Sequence, residues 1–118
     1  MARRVEFCQR EDGTAFIVVE LSGDVDLGTD PATRAALRAA FVGAKTANAP
    51  VIIDCTKMTF LALSGIRALL ETKQRYGQTA PLRLVGPPQG PLTRMVNRLG
   101  LADALAVYPT IADATSVA

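Results

Sequence analysis

The chain has 118 residues, 49% of them hydrophobic, 5% aromatic and 20% charged, with 13 basic side chains against 11 acidic ones and a formal charge of +2. That length supports one core burying about two thirds of the unfolded surface, and with Trp absent the core must come from Leu, Val, Ile and Ala. Basic residues are scattered without a run or interleaved aromatics, which removes support for direct nucleic-acid binding. No apolar stretch nears the roughly 18 residues of a membrane span, and Glu6, Gln9, Arg10, Glu11 and Asp12 stand where a signal peptide would need its apolar region. One domain over 1–118 is expected, cytoplasmic and not inserted in a membrane.

Val5 to Arg10 alternates, with Val5 and Phe7 on one face and Glu6, Cys8 and Arg10 on the other, which predicts a half-exposed strand. Glu11-Asp12-Gly13 supplies a turn. Ala15 to Leu21 is apolar and rich in β-branched residues, predicting a second strand, antiparallel to the first and buried on both faces. Ser22 to Asp30 reads as a polar loop ending in Asp30-Pro31, where the carboxylate would cap a helix and proline would occupy its first turn. In that helix Leu37, Ala40, Phe41 and Ala44 share one face, while Arg34, Arg38 and Lys45 fall outside it.

Asn48-Ala49-Pro50 ends the helix and leads into Val51 to Cys55, the short apolar run of a central parallel strand. Thr56 to Leu63 reads as a loop and Ser64 as the cap of a second helix, with Ile66, Leu69, Leu70, Lys73 and Tyr76 at helical spacing and Gly77 as its stop. Leu82, Leu84 and Val85 predict a strand, Gly86-Pro87-Pro88 a turn, and Gln89 to Leu99 a third helix burying Leu92, Met95, Val96 and Leu99. Gly100-Leu101 fits a glycine C-cap, Leu105 to Tyr108 a last strand, and Thr110 with Asp113 the capping pair of a short terminal helix. The predicted order is ββαβαβαβα: an α/β fold with a mostly parallel central sheet and an antiparallel first strand.

Histidine is absent, which removes Ser-His and Cys-His catalysis and most metal sites. Cys8 and Cys55 match neither CxxC nor a zinc spacing; buried reduced thiols and a regulatory disulfide both stay open. Asp24 and Asp26 read as solvated loop carboxylates rather than a catalytic pair. Asp54 imitates a magnesium or phosphoacceptor aspartate, but no glycine-rich loop ending in Lys-Ser or Lys-Thr accompanies it and the last lysine is Lys73. Asp54 is expected to end its strand and bond to the following loop. No catalysis, cofactor or metal is expected.

The most informative segment is Phe60-Leu61-Ala62-Leu63-Ser64-Gly65-Ile66, where a loop turns into a helix at Ser-Gly. It resembles the regulatory-serine region of the STAS family of sulphate-transporter and anti-sigma antagonist domains, whose pattern is Phe-x-Asp-Ser-Ser-Gly-Leu before an apolar helix. Ser64, Gly65 and Ile66 match, while Ala62 and Leu63 replace the family's Asp and first Ser. Leu21-Ser22-Gly23-Asp24-Val25-Asp26 is similar to the family's Leu-x-Gly-Glu-Leu-Asp, and Leu99-Gly100-Leu101 to the Thr/Ser-Gly-Leu that ends its third helix.

The resemblance implies a STAS fold and an anti-sigma factor antagonist, which binds a serine-kinase-type anti-sigma factor and frees a sigma factor. Ser64 would be the phosphorylation site, and Asp24, Asp26, Leu63, Ser64, Gly65 and Arg67 the partner-binding surface. Phosphate adds nearly two negative charges, which the helix N-terminus and Arg67 can hold, and its release of a partner would correspond to roughly ten- to a hundredfold in affinity. A STAS adaptor subunit of a transport complex and a degenerate, unphosphorylated antagonist are the alternatives, and monomer and dimer both stay open.

Overall fold

The computed structural model of the chain describes the backbone of 2–9 and all atoms of 15–78 and 80–116. The faces of the first predicted strand, Cys8 and the turn expected at Glu11-Asp12-Gly13 lie outside the described side chains and residues.

Strand β1 (Ala2–Gln9) runs antiparallel to β2 (Ala15–Val25), with Ala2 opposite Ser22 and Gln9 opposite Ala15. β3 (Val51–Asp54) lies parallel to β2, β5 (Leu82–Val85) parallel to β3, and β6 (Val107–Tyr108) parallel to β5. The sheet order is β1-β2-β3-β5-β6. One further strand falls inside the segment expected to be a loop: β4 (Met58–Leu61) pairs parallel with the end of β2. The expected order ββαβαβαβα is therefore corrected to ββαββαβαβα among the described residues. β2 pairs with β3 over Ile17–Glu20 and with β4 over Gly23–Val25, and the register shifts between Gly23 and Asp24. Gly23 sits at φ 76°, a backbone conformation glycine adopts without a Cβ clash.

Helices α1 (Asp30–Ala47), α2 (Leu63–Tyr76) and α3 (Pro91–Arg98) contribute to the main core. There Ile17, Val19, Leu21, Val51, Ile53 and Leu84 meet Leu37, Ala40, Phe41 and Ala44 of α1, Ile66 and Leu69 of α2, and Leu92 and Val96 of α3. Each fully buried Leu, Ile or Phe contributes about 1.5 to 3 kcal/mol of transfer free energy. The apolar face read from the spacing of α1 is the face it buries. Phe41 stacks on Tyr76 of α2 with ring centroids 5.1 Å apart. Helix α4 (Ile111–Thr115) belongs to a smaller cluster, where Ala114 packs with Phe16, Ile52 and Val85. Its predicted cap is present: Thr110 Oγ1 accepts from the Asp113 amide at 3.1 Å.

Several boundaries move. β2 extends past Leu21 to Val25, and burial on both faces is corrected beyond Phe16: Ile17, Val19 and Leu21 are buried on one face and Phe16 on the other, where Val18 and Glu20 are only half-buried. The physical reason is unequal cover, since the second cluster has only one five-residue helix. α3 begins at Pro91 rather than Gln89, and Leu99, expected in the core, is 42% exposed. Leu105 is buried but precedes its strand, which is only Val107–Tyr108. Gly100 takes the left-handed turn foreseen for it, at φ 66°, and the Leu101 amide donates back to Val96 O at 2.9 Å. Gly77 stops α2 without such a turn, at φ −59°.

Candidate functional site

Asp24 and Val25 at the end of β2 are register partners of Phe60 and Leu61 at the end of β4. The two strands therefore stop side by side and launch two helices from one edge of the sheet. At the first junction the chain enters a short 3-10 turn over Leu27–Thr29. Asp26 Oδ1 accepts from the Thr29 amide at 3.1 Å, and Thr29 Oγ1 accepts from the Asp26 amide at 2.9 Å, a reciprocal capping box. Asp30, expected to cap α1, is instead its first residue and accepts from Arg34 Nε at 2.8 Å. The cap is displaced because the 3-10 turn places capping chemistry one turn earlier, on Asp26.

Asp24 is exposed, and its Oδ1 accepts from Thr59 Oγ1 at 2.7 Å, joining the end of β2 to β4 by side chains as well as backbone. Both carboxylates read as solvated loop groups are thus engaged in holding this edge in shape.

The second junction is built differently. The Ala62 amide donates to Val25 O at 2.9 Å, and Ala62 O accepts from the amides of Gly65 at 3.0 Å and Ile66 at 3.3 Å. Ala62 therefore occupies the N-cap position, where it offers no side-chain hydrogen bond, and α2 begins at Leu63. The reading of Ser64 as N-cap is corrected: Ser64 is the second residue of the helix, and its Oγ is enclosed without a hydrogen-bond partner in the protein. At Gly65 a Cβ would lie 2.4 Å from Leu61 Cδ1 and 2.9 Å from Val25 Cγ1, so only glycine lets α2 seat this closely on the two strand ends.

The segments that meet at this edge also expose three large apolar side chains. Leu27 is 77% exposed, Leu63 59% and Phe60 52%. Asp24, Asp26, Leu63, Ser64, Gly65 and Arg67 are all carried on the strand ends and helix starts of this one edge, and Arg67 is exposed one turn into α2. Leu27 and Phe60 were not singled out as binding residues in the sequence. The available signal for Leu27 is a lone large apolar residue inside the polar stretch from Ser22 to Asp30; for Phe60 it is its place as the first residue of the motif segment ending in Ser64-Gly65-Ile66.

Elsewhere the chemistry is structural. Asp54 ends β3 and its Oδ1 accepts from the Thr56 amide at 3.0 Å and Thr56 Oγ1 at 2.8 Å, as expected of a strand terminator. Cys55 is buried, and desolvation, reinforced by the Asp54 charge, pushes its thiol far above the ordinary range, which leaves it a poor nucleophile. Arg34 bridges Asp30 on its own helix and Glu71 on α2, and Glu71 first, then Asp30, hold its guanidinium charged. Among the described residues no group of His, Cys, Asp and Glu side chains could hold a metal ion, and no helix is long and apolar enough to cross a membrane.

The family profile of the STAS domain matches residues 8–114. A comparison with curated protein sequences finds no match. Among solved structures, an anti-sigma factor antagonist from Mycobacterium paratuberculosis is similar at TM-score 0.77 and 24% identity, over 98% of this chain and 92% of that one. The Bacillus cell fate determinant SpoIIAA in its phosphorylated form is similar at TM-score 0.62 and 20% identity, over 97% and 96% of the two chains. SLC26A9 is similar at TM-score 0.66 and 20% identity, over 85% of this chain but only 19% of the longer one.

Proposed function

Since the chain belongs to the STAS domain family, we propose that it is an anti-sigma factor antagonist working in the cytoplasm by binding rather than catalysis. It engages a serine-kinase-type anti-sigma factor, so that a sigma factor is freed, and phosphorylation of Ser64 releases that partner. The observation that carries this reading is the edge formed by β2 and β4: a serine at an uncapped helix start, ringed by exposed Leu27, Phe60 and Leu63. Monomeric soluble surfaces rarely collect large apolar side chains in one place unless something docks there. The likeness in fold to the Mycobacterium paratuberculosis anti-sigma factor antagonist over nearly the full length of both chains supports the same reading.

The switch follows from the local electrostatics. The first turn of α2 has no side-chain cap, so its amides and helix dipole favour an anion, and Arg67 stands one turn further on. A phosphate on Ser64 brings about two negative charges into an otherwise apolar contact. Desolvating that charge against a partner costs about 1 to 3 kcal/mol, or roughly tenfold to a hundredfold in affinity. Because Ser64 Oγ is enclosed, the side chain must turn outward before a kinase reaches it.

The test is the intact mass of the protein after incubation with ATP and each kinase-type anti-sigma factor of the same genome, with Ser64→Ala as control. One added phosphate that is absent from the variant is the expected result. A stable complex without phosphate would support the degenerate antagonist, for which Ala62 and Leu63, in place of the family's acid and first serine, are the motivating residues. The adaptor reading draws on the likeness to a small part of the much longer SLC26A9 chain; failure to bind any anti-sigma factor would favour it.

A further inference from the structure

Next to the Ser64 edge lies a groove of about 200 Å³ between β4 and α3, lined by Thr59, Phe60, Pro91, Arg94, Met95 and Arg98. Three features set it apart from ordinary surface. Phe60 is half exposed, although an aromatic side chain of this size normally helps to fill a core. Arg94 and Arg98 stand one helical turn apart, on the same side of α3, and both are exposed. The ion pairs of the described residues join Arg34 to Asp30 and Glu71, and Lys57 to Glu20; none involves Arg67, Arg94 or Arg98. An apolar floor thus carries, along α3, two arginines that form no ion pair, and it is continuous through Phe60 and Leu61 with the start of α2.

We propose that this groove receives an acidic segment of the partner protein, with one apolar side chain seated against Phe60 and Met95 and carboxylates facing Arg94 and Arg98. The volume supports a side chain over a free metabolite, since small-molecule sites are typically about 300 to 1,000 Å³. The charge sets the chemistry of the occupant: two guanidiniums that form no ion pair complement an acidic partner on the α3 side of the groove, opposite the Asp24 carboxylate held by Thr59, and Arg67 extends the positive field toward Ser64. This placement rests on the partner-binding reading above and deepens it in two ways. It extends the docking footprint from the Ser64 edge onto the face of α3 that carries Arg94 and Arg98, which none of the sequence motifs includes. It also accounts for the direction of the switch, because a phosphate beside the groove repels the same carboxylates that the arginines attract.

The experiment compares binding of an anti-sigma factor from the same genome to the wild-type protein, the Arg94→Gln/Arg98→Gln pair, Phe60→Ser, and Arg38→Gln/Arg75→Gln. The last pair neutralises arginines of the separate groove between α1 and α2 and serves as control. At about 50 mM salt the α3 pair should bind roughly tenfold more weakly than wild type, mainly through a slower on-rate, and the deficit should shrink at about 500 mM, where such charges are screened. Phe60→Ser should weaken binding at both salt concentrations, and the control pair should match wild type. Equal low-salt affinity of the α3 pair and wild type overturns the proposal, as does a deficit indifferent to salt. In both cases wild-type binding persists, so the antagonist reading stands while the acidic groove falls; if the wild type binds none of the anti-sigma factors, both fall together. Circular dichroism melts of each variant ensure that only folded proteins are compared.

Discussion

The two junctions on the candidate edge start from adjacent strand ends and lead into helices of 18 and 14 residues, yet they are finished in opposite ways. The one leading to α1 closes on itself: Asp26 and Thr29 satisfy each other's amides, and Asp24 is tied to Thr59. The one leading to α2 is left open, with alanine at the cap, a serine hydroxyl without a partner and leucine facing solvent. A side-chain cap contributes about 0.5 to 2 kcal/mol; here it braces the 3-10 turn ahead of α1, whose own N-cap Thr29 makes no side-chain capping bond, while the junction to α2 has no such brace. Under the proposed function the difference separates a scaffold from a contact surface: one junction holds the edge in place while the other would meet the partner or carry the phosphate.

The sharpest way to break this contrast is Gly65→Ala. The added Cβ cannot coexist with Leu61 Cδ1 and Val25 Cγ1 in their present positions, so these two buried side chains must repack or α2 must lift, at a cost of about 1 to 3 kcal/mol in urea unfolding. Asp26→Ala should follow, with a loss of about 1 kcal/mol as the capping box opens. The smallest effect belongs to Ser64→Ala. Were Ser64 a cap, its loss would resemble that of Asp26; because its hydroxyl is enclosed and unpartnered, the melting temperature should stay unchanged or rise slightly, within about 0.5 kcal/mol. A loss at Ser64 equal to that at Asp26 would erase the distinction between the junctions.

Much of the scaffold was legible because it rests on local pattern. The three- and four-residue spacing of Leu37, Ala40, Phe41 and Ala44 specifies the buried face of α1, and the run Val51-Ile52-Ile53 can hardly be anything but a central strand. β4 was not legible. Its four residues are buried, exposed, exposed and buried, which shows no alternation, and it exists through pairing with β2 more than thirty positions away. The start of α2 misled for a related reason. Serine has the stronger intrinsic preference for the cap, but the hydrogen bond from Ala62 to Val25, made possible by the β4 pairing, places the cap two residues earlier.

The candidate site shows the same division. Ser64 and Gly65 could be singled out from a short motif, and Asp24 and Asp26 from a second one, but the motifs do not say that the two loops are neighbours; the register of Val25 with Leu61 does. Arg94 and Arg98 of α3 are brought beside Phe60 by tertiary contact alone, so no motif in the chain announces them.

The chain has no tryptophan and two tyrosines, and these fall in different layers. Tyr76 packs against the main core beside Phe41, whereas Tyr108 packs against the smaller cluster that holds Ala114 of α4. Intrinsic ultraviolet emission therefore arises from one ring in each layer. With Tyr108 replaced by Phe the signal follows the seam between α1 and α2; with Tyr76 replaced it follows the seat of α4. The order in which the two layers loosen can thus be followed in solution without attaching any foreign label.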